Sequence, residues 1–156
     1  MIIGKLLLRP LYLVARVYWR VAHPITVGVR ILLVKDQQVL LVKHTYQPPY
    51  WFLIGGGVKR KETLEAAARR EAREEAGAKL GELRLLGVYT NFWESKSDHT
   101  AVFVCEDVQL TPKRNNEIEN CQFFPLEALP DNLAPGHARR IEEYLSGREA
   151  TFFGRW

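Results

Sequence analysis

The chain has 156 residues, of which 47% are hydrophobic and 26% are charged. This composition is typical of an ordinary globular protein and excludes disordered, collagen-like and coiled-coil classes. The length predicts one domain with one core rather than a multidomain protein. Two cysteines, Cys105 and Cys121, are too few for a disulfide-rich secreted scaffold, so we expect a cytoplasmic protein.

The charge is distributed unevenly along the chain. The first 61 residues contain ten Lys or Arg and one acid, Asp36, whereas the rest contains twelve basic and seventeen acidic residues. The basic part favours an anionic partner or substrate. The alternative is a solvated basic face that only aids solubility.

Residues 1–22 predict an amphipathic basic helix ahead of a single domain over residues 23–156. No apolar run in this segment is long enough to span a membrane or to form a cleaved signal peptide. Four cations fall within about 60° of one another on a helical wheel: Lys5, Arg9, Arg16 and Arg20.

The apolar remainder of this predicted helix has three interpretations. It packs on the chain's own core or on a second subunit, it lies on a membrane surface, or it is a disordered leader. We expect burial against protein in a homodimer, because large exposed apolar patches mark interaction sites. Membrane contact is the less favoured interpretation, since the cationic stripe is narrow and Pro10 interrupts it.

Hydrophobic patterning predicts a mixture of strands and helices in one unit. Residues 26–34 and 39–44 are rich in β-branched and aliphatic side chains and predict a hairpin around a turn at residues 35–38. Further strands are predicted over residues 83–92, 99–105 and 118–124, and helices over residues 63–76 and 135–146. A glycine follows each helix where a left-handed C-terminal cap is expected: Gly77 and Gly147.

The first predicted helix places carboxylates among its apolar side chains. On a helical wheel Glu71 and Glu75 fall in the middle of the apolar face and Glu74 lies on its edge. Carboxylates on an inward face repel one another and resist desolvation unless a cation compensates them. Oxygen ligands at this spacing suit Mg²⁺ or Mn²⁺. The apolar face itself is predicted from four residues: Leu64, Ala67, Ala68 and Ala72.

A solvated acidic face paired with the neighbouring arginines is the competing interpretation. The wheel argues against it, because the acids lie on the side of the alanines and leucine. Three glycines, Gly55–Gly57, precede the helix, and a glycine backbone can approach a ligand closely.

This segment, Gly56 to Ala78, resembles the MutT-like Nudix box, G-x5-E-x7-R-E-U-x-E-E-x-G-U with U an aliphatic residue. Alanines take both aliphatic positions, Ala72 and Ala78. The flanking strands and the later EIENCQFFPLEALP segment extend the resemblance to roughly residues 26–130. All seven fixed positions are filled in register: Gly56, Glu62, Arg70, Glu71, Glu74, Glu75 and Gly77.

The resemblance to the Nudix hydrolase family implies an α/β/α sandwich around a mixed β-sheet, here with an extra N-terminal amphipathic helix. It also implies metal-dependent hydrolysis of a nucleoside diphosphate linked to another group. Carried over by position, the implied metal ligands are four residues, of which the last acts through its backbone carbonyl: Glu71, Glu74, Glu75 and Gly56.

The other implied catalytic residues surround these ligands. Glu71 is either a ligand or the base, and Arg70 and Glu62 orient the acids by ion pairing. A further acid from a later loop is present in many family members, and Glu117 is the best candidate for it. The alternative interpretation is that Glu117 is a solvated turn residue. Three weaker alternatives are Glu119, Glu94 and Asp98.

Substrate contacts are expected from aromatic and basic residues that flank the motif. Trp51 and Trp93 are candidates to stack a base, and Arg30 and His44 are candidates to hold phosphate. Core or rim positions are the alternative for each of them. Tyr46, Tyr50 and Phe92 flank the same region.

The expected partner is a nucleotide-type small molecule. A noncatalytic module that senses a nucleotide or binds a partner is the alternative from another functional class, and the intact glutamates favour the enzyme. An RNA-directed hydrolase is suggested only by the basic first 61 residues. Since no RNA-binding motif or long basic stripe accompanies them, nucleic acid is not an expected partner.

Overall fold

The computed structural model describes residues 18–47, 49–93, 95–111, 116–147 and 152–156, and for Trp93 it describes the backbone only. Residues 1–17, which carry most of the predicted N-terminal helix, lie outside the described residues. Its last residues, 18–22, are helical. Among the described residues, no helix is long and apolar enough to cross a membrane.

The described chain forms nine strands and two longer helices. The elements are β1 Ile25–Lys35, β2 Gln38–His44, β3 Trp51–Leu53, α1 Leu64–Ala76, β4 Ala78–Leu80, β5 Arg84–Trp93, β6 Lys96–Cys105, β7 Val108–Leu110, β8 Ile118–Pro125, α2 Pro135–Leu145 and β9 Phe152–Arg155. The main sheet has the order β3-β2-β1-β6-β5-β9, and β8 also pairs with β2. Strands β4 and β7 form a small second sheet.

The main sheet is mixed, as the family resemblance implies. Strand β1 runs parallel to β6, and β5 runs parallel to β9, whereas the other pairs are antiparallel. The hairpin of β1 and β2 turns through Asp36 and Gln37, whose φ angles are 50° and 58°. Two consecutive residues with positive φ match the right-handed twist of the flanking strands. The predicted hairpin is confirmed.

The two helices cover opposite faces of the sheet. Alternate β1 residues, such as Val29 and Ile31, pack with the buried alanines of α1. The intervening β1 residues, such as Leu32, pack with Ile141 of α2. The period-two alternation of a strand therefore places one core on each face, and the expected α/β/α sandwich is confirmed.

Both helices begin and end close to the predicted residues. The Thr63 hydroxyl accepts a hydrogen bond from the Ala66 N–H at the start of α1, and Gly77 ends it with a φ of 62°. Helix α2 ends at Leu145, and Gly147 has a φ of 66°. One expectation for α1 was wrong: Leu64 is 38% exposed, because the first turn of the helix, residues 64–66, faces solvent and burial begins at Ala67.

The sequence predictions of strands differ from the structure at several points. Strand β6 begins at Lys96 rather than His99, because Ser97 pairs with both β1 and β5. Four strands were not predicted: β3, β4, β7 and β9. Three of them are only three residues long, which is too short for a periodic pattern to appear.

Candidate active site

The predicted site forms where α1 faces the loop that follows β3. The alanine side chains Ala67, Ala68 and Ala72 are fully buried and allow α1 to lie close to the sheet. The three expected carboxylates then differ in exposure. Glu75 is 9% exposed as a residue, and the side chains of Glu71 and Glu74 are 13% and 44% exposed.

A single guanidinium joins three of the acids. Arg70 binds both oxygens of Glu62, with Nε at 2.7 Å from Oε1 and Nη2 at 2.9 Å from Oε2. Its Nη1 donates to Glu71 at 2.5 Å and to Glu74 at 3.3 Å. Nη2 also donates to the Gly57 carbonyl at 2.9 Å, which ties this group to the glycine loop. We call Glu62, Arg70, Glu71 and Glu74 the Arg70 cluster.

The electrostatics of the Arg70 cluster follow from these contacts. Hydrogen bonds from Arg70, and then from the Lys59 N–H, lower the pKa of Glu62 to about 2. The hydrogen bond to Glu62 raises the pKa of Arg70, against the effect of burial. The orienting role expected for Arg70 and Glu62 remains a prediction, and the geometry supplies the contacts that this role requires.

Two glycines of the loop have no room for a side chain. Gly55 has a φ of 142°, and a Cβ there would overlap the Val29 carbonyl. A Cβ on Gly56 would lie 2.6 Å from Oε1 of Glu71. The absence of a side chain therefore lets the loop lie directly against the carboxylates of α1.

The loop also contacts the most buried of the acids. The Gly55 N–H donates to Oε2 of Glu75 at 3.0 Å. Burial raises the pKa of Glu75 to about 7, and this hydrogen bond and the charge of Arg30 oppose the rise. The Gly56 carbonyl, an implied metal ligand, accepts the Val29 N–H at 2.9 Å. A carbonyl oxygen has a second lone pair, which stays available for a cation.

These donors fit a divalent cation in chemical type. They are carboxylate and carbonyl oxygens, which Mg²⁺ and Mn²⁺ prefer, and burial raises the pKa of Glu75, an effect on a buried carboxylate that a bound cation opposes. Among the described residues, no three His, Cys, Asp or Glu side chains are gathered as a bound metal would hold them. Arg70 binds Oε1 of Glu71 and Oε2 of Glu74, one oxygen of each carboxylate, and a carboxylate has further lone pairs with which to bind a cation.

Glu117 lies close enough to influence the site. Its charge contributes to the raised pKa values of Glu75 and Tyr46, and its carbonyl accepts the Thr45 N–H at 3.0 Å. The weaker alternatives differ. Glu119 pairs with Lys43 at 3.1 Å, Asp98 accepts from Thr26 at 2.6 Å, and Glu94 lies outside the described residues.

The structure does not place all four expected substrate residues on an open surface. Trp51 is 9% exposed, and its ring packs edge-on against Phe124 at 4.8 Å, so it is part of the core rather than a stacking platform. The Trp93 side chain lies outside the described part of the chain. His44 is 4% exposed, with Nε2 at 3.9 Å from Glu75. Burial, and then Arg30, lower its pKa, so this imidazole is neutral.

Arg30 has a different position from the one expected. Its Nη1 donates to the Gly55 carbonyl at 2.5 Å and to the Leu53 carbonyl at 3.4 Å. Burial lowers its pKa, and the charges of Glu75 and other nearby acidic groups oppose this effect. The side chain therefore holds the glycine loop, and its contact with phosphate stays a prediction.

Beside His44 lie Tyr46, which sequence reasoning named as flanking the site, and Phe52, which it did not name. Tyr46 and Phe52 lie 5.0 Å and 5.4 Å from the His44 ring, and Tyr46 is 64% exposed. The Cys121 thiol has a pKa raised to about 11 by burial and by Glu75. The alternation of β2 already indicated this side of the sheet, because His44 follows Leu40 and Val42 on the strand face directed toward α1.

Comparisons with known proteins agree with this geometry. A family model described as NUDIX domain matches residues 22–144. The ADP-ribose pyrophosphatase of Methanocaldococcus jannaschii is 33% identical over 127 residues, which cover 79% of this chain and 74% of that protein. Diphosphoinositol polyphosphate phosphohydrolase 3-alpha of Mus musculus is 42% identical over 124 residues, which cover 75% of this chain and 74% of that protein.

A solved structure shows the same similarity. The crystal structure of a MutT NUDIX hydrolase from Burkholderia pseudomallei superposes with a TM-score of 0.69 at 26% identity, covering 76% of this chain and 97% of that one. The chain belongs to the NUDIX domain family, and it is a Nudix hydrolase.

Proposed function

We propose that this Nudix hydrolase cleaves the diphosphate bond of a nucleoside diphosphate linked to another group, with Mg²⁺ or Mn²⁺ as cofactor. The observation that carries the proposal is the excess of carboxylate beside the glycine loop. Glu62, Glu71 and Glu74 share one guanidinium, and the buried Glu75 lies against Gly55. Negative charge concentrated in this way is stabilised by a divalent cation.

Each residue has a defined part in this proposal. Glu71, Glu74 and Glu75, with the Gly56 carbonyl, would hold the metal. A bound divalent ion neutralises phosphate charge and lowers the pKa of water. Glu71 serves as ligand or as the base that accepts a proton from the water attacking phosphorus.

Two further residues complete the catalytic set. Arg70 holds Glu71 and Glu74 and is itself fixed by Glu62, which limits the rotamers of both acids. Glu117, whose charge reaches Glu75, is proposed as an additional acid from the segment that precedes β8.

The nucleoside part of the substrate is supported by exposed aromatic rings near the site. Tyr46 and Tyr50 are 64% and 47% exposed, and an exposed ring can stack a base. The name of the archaeal relative, ADP-ribose pyrophosphatase, is consistent with a nucleoside diphosphate derivative.

A diphosphorylated inositol phosphate is a second candidate substrate. The mouse relative is named for such compounds. Three consecutive exposed cations, Lys59, Arg60 and Lys61, directly precede Glu62 and offer charge for a substrate with many phosphates.

A phosphate-release screen with Mg²⁺ or Mn²⁺ tests the proposal and separates the candidates. The substrates are ADP-ribose, dinucleoside polyphosphates, nucleoside triphosphates, a diphosphoinositol polyphosphate and capped RNA. We expect release from a nucleoside diphosphate derivative, and none without metal. Release only from the inositol compound supports the second candidate. Release from none of them, despite an intact fold, contradicts the enzymatic proposal and favours a noncatalytic module.

We also propose that the protein is cytoplasmic and forms a homodimer through residues 1–22. Supporting observations are the two free cysteines and the exposed apolar side chains at the end of the segment and just after it, Val21 at 80% and Ile25 at 72%. Light scattering of the full chain and of a form that begins at His23, with vesicle cosedimentation, tests the dimer. A monomeric full chain that pellets with anionic vesicles contradicts it.

A further inference from the structure

The last five residues add to the sheet edge and pack on its α2 face, outside the matched family region. Strand β9, Phe152–Arg155, adds to the sheet edge parallel to β5, and the Trp156 N–H then donates to the Thr90 carbonyl at 3.1 Å. The indole of Trp156 rests on the first turn of α2. A Cβ on Gly136 would lie 2.5 Å from Cδ1 of that indole, so only glycine admits this contact.

Trp156 packs against a buried histidine of α2. The ring of His137 lies 5.0 Å from the Trp156 ring and 5.2 Å from the Phe52 ring, edge-on to both. Only 4% of His137 is exposed. Burial, with smaller effects from nearby cations, holds its pKa well below the usual value, so the imidazole is neutral and one ring nitrogen is an acceptor.

That acceptor nitrogen holds the end of β3. Nδ1 of His137 accepts the Leu53 N–H at 3.0 Å. The Leu53 carbonyl and the Gly55 carbonyl both accept from Arg30, and the Gly55 N–H donates to Glu75. The contacts therefore run without a break from Trp156 through His137 to the loop that carries the Glu75 hydrogen bond.

The structure assigns a positioning role to His137 and Trp156: together they fix the glycine loop against the carboxylates of α1. The assignment rests on the proposed hydrolase function but concerns residues outside the Nudix box. Neither side chain contacts the carboxylates, so both act through the backbone at Leu53. A loop displaced by even an ångström is sufficient to reduce turnover strongly.

A matched set of variants tests this role. His137→Leu removes the acceptor, whereas His137→Asn places an amide oxygen close to the position of Nδ1. Trp156→Leu removes the indole, and Trp156→Phe retains an aromatic ring. The control is Phe153→Ala on the same strand, because Phe153 is 80% exposed. Amide exchange by NMR, kcat, KM and the melting temperature are measured for each.

We expect His137→Leu and Trp156→Leu to speed amide exchange at Leu53 and Gly55 by about tenfold or more, while the central strand amide of Val102 keeps its protection. We expect kcat to fall by about 10- to 100-fold with KM nearly unchanged. His137→Asn and Trp156→Phe should restore most of the exchange protection and most of kcat. Phe153→Ala should change neither quantity.

Two results would overturn the assignment. One is wild-type exchange at Leu53 and Gly55 with wild-type kcat in folded His137→Leu and Trp156→Leu. The other is an equal acceleration at Val102, which would show a contribution to global stability alone. If the wild-type chain hydrolyses no diphosphate, the proposed function fails, and the exchange data still decide whether the two residues hold the loop.

Discussion

Two arginines of this protein lie in charged clusters on opposite faces of the sheet, and the clusters have different charge balances. On one face, Arg70 binds three carboxylates, and a fourth, Glu75, accepts from the glycine loop that Arg70 also contacts. On the other face, Arg140 pairs with a single carboxylate, Glu143, at 2.9 Å. The first cluster carries excess negative charge, whereas the second is balanced.

The surroundings of Arg140 explain how a balanced pair is kept in the core. The guanidinium is stacked 3.7 Å from the Tyr89 ring centre and 5.4 Å from that of Trp156. The Tyr89 hydroxyl donates to the second oxygen of Glu143 at 2.6 Å. We call Tyr89, Arg140 and Glu143 the Arg140 cluster. Aromatic rings and one counterion stabilise this cation.

The comparison teaches that excess charge, rather than burial of charge, distinguishes the candidate active site. Both arginines are largely buried, with side-chain exposures of 12% for Arg70 and 3% for Arg140. Only the Arg70 cluster has more acids than its cation neutralises. We therefore expect changes in the Arg70 cluster and at Glu75 to affect catalysis, and loss of the Arg140 to Glu143 pair to affect stability.

The largest expected effect comes from neutralising the acids near Arg70. Glu74→Gln and Glu75→Gln each remove one charge and nearly preserve shape, so the fold should survive while kcat falls by about 10²-fold or more. Steady-state phosphate release measures this loss. The control is Glu65→Gln on the same helix, because the Glu65 side chain is 62% exposed and pairs with Arg69, outside the Arg70 cluster. Wild-type turnover in both site variants would remove the distinction between the clusters.

Removal of Arg70 should have the next largest effect. Arg70→Ala releases Glu62, Glu71 and Glu74 together, and we expect turnover and apparent metal affinity to fall by about 10- to 100-fold. Metal titrations of activity and substrate titrations at saturating metal separate the two constants. A change in substrate affinity alone, with unchanged metal affinity, would show that Arg70 contacts substrate instead of orienting ligands.

The stability of the metal-free protein should fall as the pH rises. The folded pKa of Glu75 is raised to about 7 from an ordinary value of 4.5, so its contribution is fully present below pH 4.5 and is lost as the pH rises through 7. The loss amounts to about 3 kcal/mol. Urea unfolding in EDTA at several pH values, compared with Glu75→Gln, isolates this contribution. Equal pH dependence of stability in both proteins would show that burial does not raise the pKa of Glu75 in the folded protein.

The smallest of these effects concerns the balanced cluster. Glu143→Gln removes the counterion of Arg140 and weakens the hydrogen bond from Tyr89, so we expect about 2 kcal/mol of lost stability. Well below the melting temperature, kcat should stay close to the wild-type value. Thermal unfolding and phosphate release on the same samples test this. A catalytic loss as large as that of Glu74→Gln would show that the two clusters are not functionally distinct.

Much of the α1 side of the molecule could be predicted from the sequence, because its signals are local. The cap at Thr63, the left-handed Gly77 and the alanine spacing each act within one or two helical turns. The register of the Nudix box then assigns the positions of the acids. Leu64 was wrongly predicted to be buried, because a helical wheel gives the direction of a side chain around the helix axis but not which turns of the helix are covered by the rest of the protein.

The rest of the site depends on contacts between distant parts of the chain. Arg30 lies in a largely apolar strand, and only the fold shows that its guanidinium holds the loop 25 residues later. The pairing of His137 with Leu53 spans 84 residues. Trp51 is different, because the alternation of β3 already groups it with Leu53 on the α2 face, away from the carboxylates.

Binding of Mn²⁺ tests the central claim most directly, because it measures the excess charge without relying on a known substrate. Electron paramagnetic resonance of the full chain during a Mn²⁺ titration reports free and bound ion. We predict saturable binding by the wild-type protein, weakened about tenfold or more in Glu74→Gln and Glu75→Gln, and unchanged in Glu143→Gln. A wild-type chain without saturable binding, or site variants that bind as tightly as the wild type, would contradict the account.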